Sequence, residues 1–472
     1  MSYTHYERLS ALDTTFLEIE SAQVHMHVGA VGIFDATPLL AADGVLDMDR
    51  IRATSEAALR RSPRLRQRLE HVPVLGDAVW VDDDRFNLSY HVRHTSLPRP
   101  GGVRLLKRLV GRLMSQKLDR GKPLWEMWFV EGLGENKIAV ITKMHHCMID
   151  GIAGVDLLAA LIRVEKDAGV EHAAPWIPRP APSGSRLLLD DAWRRASLPV
   201  EAYRVVRDAV AAPGEQLGLL RDTLIGLSET VATGVTSASP TPLNTDIGPH
   251  RRFDWTRCDL DAVKEVKRRL GGTVNDVVLT IVAGAMRRFL KGRGERVEDL
   301  NFRALVPVSV RTESQRGTLG NRVSFLVARL PLEERDPRRR LARVIEETGR
   351  LKSSKQVLGA EVLEQISDRT VTTLFVQYVR LAAASRVFNM VVTNVPGPQV
   401  PVYLLGARML EIYPLAPLFA GQALAVALFS YDGGLFWGFN ADWDAVPDLH
   451  DAVTAVEHEL ELLRKAATEA AG

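Results

Sequence analysis

Hydrophobic and polar residues alternate along several short segments of the chain, and this period of two predicts β-strands. The segments are HVGAVGIF (27–34), DAVWV (77–81), KIAVITKM (137–144), FRALVPVSV (302–310), RVSFLVARL (322–330), NMVVTNV (389–395) and LAVALFSY (424–431). Because helix-like segments lie between many of them, the pattern predicts an α/β fold class with mixed sheets covered by helices.

Other segments carry apolar residues every three or four positions, as on one face of a helix. VRLLKRLVGRLMSQKL (103–118) and GVDLLAALIRVEKD (154–167) show this spacing. Two further helices should begin near Thr273 and near Asp336, where the aspartate precedes Pro337. An aspartate cap followed by proline in the first turn is a typical helix start.

Changes in composition divide the chain into three parts. Residues 1–165 and 251–472 have the strand and helix pattern of globular domains. Residues 166–250 contain two stretches rich in proline, serine and glycine, which bracket a helix-like middle from Leu187 to about Val231. The sequence therefore predicts an N-terminal domain, an interdomain connector and a C-terminal domain.

The overall composition is that of an ordinary globular protein. The chain has 472 residues, of which 46% are hydrophobic and 25% charged, and its formal charge of +2 gives no global field that would attract nucleic acid. Two cysteines, Cys147 and Cys258, cannot form a disulfide framework, and the start MSYTHYERLS lacks a signal-peptide pattern. We therefore expect a cytoplasmic protein. No segment approaches the roughly 18 uninterrupted apolar residues of a spanning helix, so membrane contact should be peripheral.

The segment MHHCMIDG (144–151) carries the strongest candidate chemistry. The preceding strand should end at His145, which places His145 and His146 on a turn ahead of Asp150 and Gly151. An imidazole at a strand end can be aimed into a cleft and can take a proton from a hydroxyl near neutral pH. Two alternatives stay open: the histidines could be ordinary core or surface residues, or they could bind a metal. Neighbouring strand residues face opposite sides, which disfavours one shared metal ion.

Further motifs accompany this HHxxxDG signature in a fixed order. They are LSALDTTFLEIE (9–20), MHVG (26–29), PLWE (123–126), LNTDIGPHRRF (243–253), TVNDVVL (273–279), GNRVSFL (320–326) and NVPGP (394–398). With these motifs the chain resembles the bacterial wax ester synthase/acyl-CoA:diacylglycerol acyltransferase family over nearly its whole length. The resemblance implies a two-domain chloramphenicol-acetyltransferase-like α/β fold with the active site at the domain interface.

The resemblance also implies roles for individual residues. His146 corresponds to the general base of that family and His145 to a supporting residue. Acyl-CoA is then a co-substrate that brings its own leaving group, and no metal or bound cofactor is required. A positioned base contributes roughly 10²–10⁴-fold to the rate, while the tetrahedral oxyanion still needs a hydrogen-bond donor.

Asn275 is the candidate for that donor, or for support of the loop that bears it, and Asp276 lies beside it. Because both residues open a predicted helix, either could instead cap free backbone N–H groups. Pro123, Leu124 and Trp125 have no proton chemistry, so they should shape the pocket or pack the core. The NVPGP segment should form a rigid turn in which proline fixes φ and glycine permits a positive φ.

The role of Asp150 follows from a second resemblance. Related condensation domains pair this aspartate with an arginine of a segment RHExLR, and RSPRLR (61–66) is similar at both arginine positions. We therefore expect Asp150 to form a salt bridge with Arg66 or Arg61 that fixes the catalytic loop. The alternative is that both arginines are solvated.

Two basic segments could meet anionic partners. Arg104, Arg108 and Arg112 recur at intervals of four, and Arg338–Arg340 are followed by Arg343. Such faces are usually solvated, but CoA phosphates and an anionic membrane surface are the partners that the resemblance implies.

The resulting expectation is an O-acyltransferase that moves a long-chain fatty acyl group from acyl-CoA to diacylglycerol, giving triacylglycerol, and to long-chain alcohols, giving wax esters. It would work at the inner face of the cell membrane or on lipid droplets. Two alternatives stay open. One is a condensation or polyketide-type acyltransferase that uses carrier-bound acyl groups, and the other is a non-catalytic lipid-droplet binding protein.

Overall fold

A computed structural model describes residues 6–74, 76–148, 161–166, 176–194, 196, 237–309, 323–353 and 386–469. The strands within these ranges are β1 (Tyr6–Arg8), β2 (His27–Asp35), β3 (Gln67–His71), β4 (Ala78–Asp82), β5 (Val92–Ser96), β6 (Trp125–Glu131), β7 (Lys137–His145), β8 (Arg251–Asp259), β9 (Arg303–Ser309), β10 (Val323–Arg329), β11 (Met390–Pro396), β12 (Tyr403–Leu404), β13 (Ala407–Leu415), β14 (Leu424–Tyr431) and β15 (Gly434–Asp442). All seven predicted strands are confirmed, with ends displaced by at most one residue.

The helices with defined ends are α1 (Ala11–Ile19), α2 (Met48–Leu59), α3 (Leu88–His91), α4 (Val103–Met114), α5 (Leu260–Leu270), α6 (Val274–Gly292), α7 (Pro337–Ser353) and α8 (Leu449–Glu469). The predicted starts of α6 and α7 are confirmed: Thr273 caps α6, and the Asp336 carboxylate accepts from the N–H groups of Arg338 and Arg339. Most of the helix expected over 154–167 lies outside the described residues, as does the connector helix beyond residue 196.

The first large sheet has the strand order β12-β13-β2-β7-β6-β5. Its neighbouring strands are antiparallel except for the parallel pair β5 and β6. The central strands β2 and β7 are buried along most of their length, which explains why β7 is a nearly continuous apolar run and not a strict alternation. This buried centre gives the end of β7 a rigid support.

The second large sheet has the order β10-β9-β11-β14-β15-β8, with β11 parallel to both β9 and β14. Helices α5 and α8 pack against its β8 edge, while α6 packs against α5, α7 and α8. Helix α6 is buried from Asp276 to Met286. The sheets are therefore mixed and covered by helices, as the sequence pattern predicts.

Strands β12 and β13 join the two halves of the chain. They come from the range assigned to the C-terminal domain, yet β13 pairs with β2 in the first sheet. Arg163, which follows the histidine motif, makes an isolated bridge with Tyr403 of β12. On the other side, α4 packs on β8 of the second sheet, and the Arg251 N–H donates to Ser115 Oγ at 2.8 Å. The halves are thus interlocked at several places.

Described parts of the connector also pack on the body of the protein. Leu187 joins a small core with valines of the three-stranded sheet β1-β4-β3, and the Arg179 guanidinium binds Asp82 at 2.8 Å. Further along, the Asn389 amide donates to Ser239 O and Asn244 Oδ1 at 2.8 and 2.7 Å. These contacts hold both described ends of the connector against the sheets.

No helix in the described part of the chain is long and apolar enough to cross a bilayer.

Candidate active site

The two motif histidines stand where β7 ends and a short 3-10 turn, His146–Met148, begins. The His145 N–H donates to Leu124 O at 2.9 Å, and the His146 N–H donates to Met26 O at 2.7 Å. The backbone at this strand end is therefore held from both sides, by the residue before β6 and by the residue before β2. Such a fixed backbone can place a side chain reproducibly.

The ring of His146 is half-buried and has an unusual environment. Phe16 of α1 stacks on it with ring centroids 3.9 Å apart. Its Nδ1 atom is buried, and no described group hydrogen-bonds it. Burial lowers the pKa of His146 to about 4, so the imidazole is neutral at physiological pH and able to accept a proton. Because Nδ1 is enclosed, Nε2 is the nitrogen that can meet a substrate.

His145 is almost fully buried and is hydrogen-bonded within the protein. Its Nδ1 accepts the backbone N–H of Cys147 at 3.2 Å and lies 3.0 Å from Cys147 Sγ. Its Nε2 lies 3.6 Å from Glu20 Oε1. Burial, followed by the charge of Arg120, lowers the pKa of His145 to about 3. His145 is therefore enclosed, while the half-buried His146 is the ring that a substrate can reach. This difference agrees with the prediction that neighbouring residues at a strand end face opposite sides.

Two N-terminal motifs converge on the same point. Helix α1 carries Phe16, which covers His146, and its C-cap residue Glu20, which faces His145. His27, in MHVG, lies directly opposite His145 on β2. The sequence pattern alone does not place Phe16, Glu20 and His27 in the site. The signal that it does carry is the change from apolar to acidic residues along LSALDTTFLEIE.

The PLW residues support the strand end from the other side. Pro123, Leu124 and Trp125 are all buried, and Leu124 provides the carbonyl that accepts the His145 N–H. Trp125 donates from Nε1 to Leu65 O at 2.7 Å and stacks on His91 at 4.5 Å. These contacts show that the PLW residues pack in the core beneath the site. That they also line the substrate pocket stays a prediction.

Asn275 and Asp276 lie at the start of α6, and their roles divide. Thr273 is the N-cap, and its N–H and hydroxyl both donate to Asp276 Oδ2 at 2.8 Å. Asp276 is therefore part of a capping box. The half-buried Asn275 has no side-chain hydrogen bond within the described ranges, so the capping alternative is wrong for Asn275 and right for Asp276. Within the described residues, no hydrogen bond or ion pair joins Asn275 or Asp276 to His146, and an oxyanion role for Asn275 stays a prediction.

Arg66 is buried and pairs with Glu56 of α2. Its guanidinium also lies over the rings of Trp176 and Phe86, at 4.7 and 5.6 Å. Arg61 is exposed. Asp150 and Gly151 lie outside the described residues, so the predicted salt bridge from Asp150 to either arginine is not tested.

The NVPGP turn requires its glycine for a different reason from the one predicted. Gly397 is not among the residues with positive φ. Instead, a Cβ atom there would collide with the Phe429 ring and the Ser430 carbonyl of β14. Close approach of two backbones, not left-handed geometry, excludes a side chain at this position.

The site lies among several potential metal ligands, including His27, His145 and Glu20. In the ranges that the structure describes, no three histidine, cysteine, aspartate or glutamate side chains are arranged to hold a metal ion. The chemistry available at the strand end is that of one accessible neutral imidazole.

Sequence comparison places the chain among known acyltransferases. The wax ester synthase/diacylglycerol acyltransferase catalytic-domain model matches residues 9–278, and the model of the C-terminal domain matches residues 319–464. A probable diacylglycerol O-acyltransferase, tgs1, of Mycobacterium tuberculosis is 34% identical over 95% of this chain and 94% of its own length. A second from the same organism, tgs2, is 32% identical over 96% of this chain and 98% of its own length.

Structural comparison agrees with the sequence match. A wax ester synthase/diacylglycerol acyltransferase from Marinobacter aquaeolei VT8 superposes with a TM-score of 0.68 at 25% identity, over 98% of this chain and all of that one. The starter condensation domain of rhizomide synthetase gives a TM-score of 0.58 at 13% identity, over 98% of this chain and 95% of that domain, which shows a shared fold alone. The predicted chloramphenicol-acetyltransferase-like fold class is confirmed. With both domain models matched in order, the chain belongs to the wax ester synthase/diacylglycerol acyltransferase family.

Proposed function

We propose that the protein is an acyl-CoA-dependent O-acyltransferase that transfers a long-chain fatty acyl group to diacylglycerol, with long-chain alcohols as weaker acceptors. Family membership and the names of the mycobacterial relatives support this activity. The similarity to condensation domains, at 13% identity, shows a common fold alone. It does not support the alternative of an acyltransferase that uses carrier-bound acyl groups.

The observation that carries the mechanism is the half-buried ring of His146, with Nδ1 enclosed and the ring neutral. In the proposed reaction, Nε2 removes the proton from the acceptor hydroxyl while its oxygen attacks the thioester carbonyl. The C–S bond of the tetrahedral intermediate then breaks, and the imidazolium returns the proton to the CoA thiolate. Asn275 is proposed as a donor to the oxyanion. No step needs a metal or bound cofactor, because the thioester supplies the leaving group.

The acceptor is tested directly with labelled palmitoyl-CoA and a panel of diacylglycerol, hexadecanol and short alcohols, followed by separation of the products. We expect triacylglycerol as the main product, with less wax ester. A protein that refuses acyl-CoA but accepts acyl-pantetheine on a carrier protein would overturn the proposal in favour of the condensation-type alternative.

The catalytic assignment is tested by two alanine variants. His146→Ala should lower turnover by about 10²–10⁴-fold, the contribution of a positioned base. His145→Ala should keep part of the activity, because His145 supports the turn without meeting substrate. Initial rates with purified, folded proteins measure both. Equal residual rates in the two variants would reject the assignment, and unchanged turnover in His146→Ala would favour a non-catalytic binding protein.

We further infer that the protein works at an anionic lipid surface, either the inner face of the cell membrane or a lipid droplet. Its proposed acceptors are nearly insoluble in water. The basic face of α4 supports this inference: Arg104, Arg108 and Arg112 are exposed, and α4 contains no acidic residue. Like charges four residues apart destabilise a helix, and no acidic side chain of the described residues pairs with these three arginines, so a bound anionic surface would relieve their repulsion.

The second basic segment has protein partners instead. Arg340 is buried against Glu459 at 2.6 Å, and Arg343 pairs with Glu333 and Glu334 at 3.0 and 3.3 Å. These arginines are therefore largely neutralised within the fold. Membrane attraction is assigned to α4 alone.

Vesicle co-sedimentation tests the α4 surface. Replacing Arg104, Arg108 and Arg112 by glutamine should weaken binding to phosphatidylserine-containing vesicles by about 3 kcal/mol, since each basic residue near the surface contributes about 1 kcal/mol. A control with the same charge change replaces the exposed Arg296, Arg335 and Arg464, which lie near acidic residues. Equal binding by the two triple variants would contradict this assignment.

A further inference from the structure

A second set of imidazoles lies behind the proposed base, and the mechanism above does not use it. His27 and His145 are buried and face each other across the β2–β7 pair. The Glu20 side chain, which is 2% exposed, lies beside both. Arg120 closes the set from the solvent side. A buried carboxylate among neutral rings is costly unless each oxygen has a partner.

The two oxygens of Glu20 serve different partners. Oε2 accepts from Arg120 Nε and Nη2 at 3.1 and 2.6 Å. Oε1 faces the rings, with His145 Nε2 at 3.6 Å and His27 Nε2 at 3.7 Å. Neither of these Nε2 atoms has a hydrogen bond among the described residues. Two buried nitrogens therefore converge on a single carboxylate oxygen.

The protonation state of His145 follows from its other nitrogen. The backbone N–H of Cys147 can only donate, and it points at Nδ1 from 3.2 Å. Nδ1 must therefore be the acceptor, and in a neutral ring the proton then resides on Nε2. That N–H faces Glu20 Oε1, where the carboxylate favours it over the alternative tautomer.

The rings are neutral at any pH at which the enzyme would work. Burial lowers the pKa of His145 to about 3 and that of His27 well below its usual range. Glu20 therefore does not form ion pairs with these rings. Its Oε2 pairs with Arg120, while its Oε1 lies 3.6 and 3.7 Å from the Nε2 atoms of His145 and His27.

We propose that Glu20 is a positioning residue for the acyl transfer. Its carboxylate fixes the Nε2–H tautomer of His145, and Nδ1 of that ring then holds the Cys147 N–H. This bond sets the 3-10 turn that begins at His146 and so aims the base. The inference rests on the proposed function of His146, since it explains how that residue is held.

The first measurement needs no activity and no variant. Histidine-selective ¹⁵N labelling of the full-length wild-type protein should show His145, assigned by comparison with His145→Ala, as the Nε2–H tautomer. An Nδ1–H tautomer, or a charged ring near neutral pH, would overturn the proposal whether or not the protein is an acyltransferase.

The second measurement uses Glu20→Gln, which keeps the shape and removes the charge. We expect kcat to fall about tenfold to a hundredfold and the KM for acyl-CoA to change less than twofold. The ¹⁵N signal of His145 should shift toward a tautomer mixture. The matched control is Glu135→Gln, an exposed carboxylate at the far end of the β6–β7 hairpin that pairs with Lys137; it should retain wild-type kinetics.

Several outcomes would reject the positioning role. A folded Glu20→Gln protein with wild-type kcat, a loss confined to KM, or an unchanged His145 tautomer would each do so. If Glu20→Gln does not fold, the wild-type tautomer still decides the proposal. Absence of transfer by the wild-type protein would instead refute the proposed function, which keeps the two failures distinct.

Discussion

At the scale of single residues, Asn275 stands next to a helix cap without belonging to it. Thr273 and Asp276 satisfy each other at the start of α6, and Thr348 of α7 donates to the second Asp276 oxygen at 2.7 Å. The amide of Asn275 is left without a described partner. A polar side chain without a partner among the described residues is a candidate to meet a substrate.

We therefore predict that Asn275→Ala separates turnover from stability. Its free energy of unfolding should stay within about 0.5 kcal/mol of wild type, since alanine suits a helix and no cap is lost. Loss of an oxyanion donor should lower kcat by about 10²–10³-fold. Thr273→Ala is the contrasting variant, with a cost of about 1 kcal/mol in stability. Kinetics and urea unfolding measure both, and a wild-type kcat in Asn275→Ala would remove it from the mechanism.

The sequence predicted the site residues unevenly, and the reason is physical. His145 and His146 were predicted to stand at a strand end because the strand pattern and the motif are both local in sequence. The partners of these histidines are not local: Glu20 is brought to His145 by the docking of α1, and Phe16 reaches His146 the same way. No periodicity within a segment reports which distant side chain covers it.

At the scale of elements, α6 depends on a buried ion pair that crosses from α7 to α8. Arg340 Nη1 donates to Glu459 Oε2 at 2.6 Å, and its remaining N–H groups reach the carbonyls of Glu334 and Arg335 at 3.1 and 3.2 Å. Gly284 of α6 lies against both side chains, and a Cβ there would collide with each. The glycine in the middle of a helix thus makes room for the pair.

Gly284→Ala should destabilise the protein by about 3 kcal/mol, because it overpacks the helix contact or separates a buried charge pair. Gly292→Ala is the matched control in the same helix, where a Cβ would meet nothing within 4 Å. That variant should be neutral or more stable by up to about 1 kcal/mol. Urea unfolding at pH 7.5 compares them, and equal stability of the two variants would contradict the packing account.

Elements were predicted best where their own residues decide them. The apolar runs of β7 and β14 and the capped starts of α6 and α7 are local signals, and the structure has these elements where the sequence predicts them. The sequence pattern did not indicate eight of the fifteen described strands, namely β1, β3, β5, β6, β8, β12, β13 and β15. In β13, ARMLEIYPL mixes charged and apolar residues and has a proline one residue before its end, because it lies between sheets and packs on both β14 and β15.

At the scale of the whole molecule, the exchange of β12 and β13 into the first sheet could not be predicted from the sequence pattern. The partner of β13 is β2, more than 350 residues earlier in the chain, and hydrophobic patterning carries no information on such pairings. The same crossing brings β13 over β15, where Gly438 leaves room for the Pro414 carbonyl. A domain boundary drawn from composition therefore marks the connector. It does not show that β12 and β13, from the C-terminal range, belong to the first sheet.

The protein also buries several neutral histidines, which links its stability to pH. Burial lowers the pKa values of His91 and His146 to about 4, that of His145 to about 3, and that of His27 well below its usual range. An unfolded histidine titrates near 6.5. Between about pH 4 and pH 6.5 the unfolded chain therefore binds more protons than the folded protein, and acidification favours unfolding.

We predict that the free energy of unfolding falls by about 5 to 6 kcal/mol per pH unit between about pH 6 and pH 4, since each of these four histidines contributes about 1.4 kcal/mol per unit. Urea unfolding at pH 7.5, 6.0 and 5.0 measures the slope.

His91 lies away from the proposed base, stacked on Trp125 at 4.5 Å, and its Nδ1–H donates to the Trp125 carbonyl at 2.8 Å. A glutamine there can keep that hydrogen bond without titrating, so His91→Gln should reduce the slope by about a quarter. Equal slopes in the two proteins, or constant stability from pH 7.5 to 5.0, would show that these rings are not kept neutral by the fold.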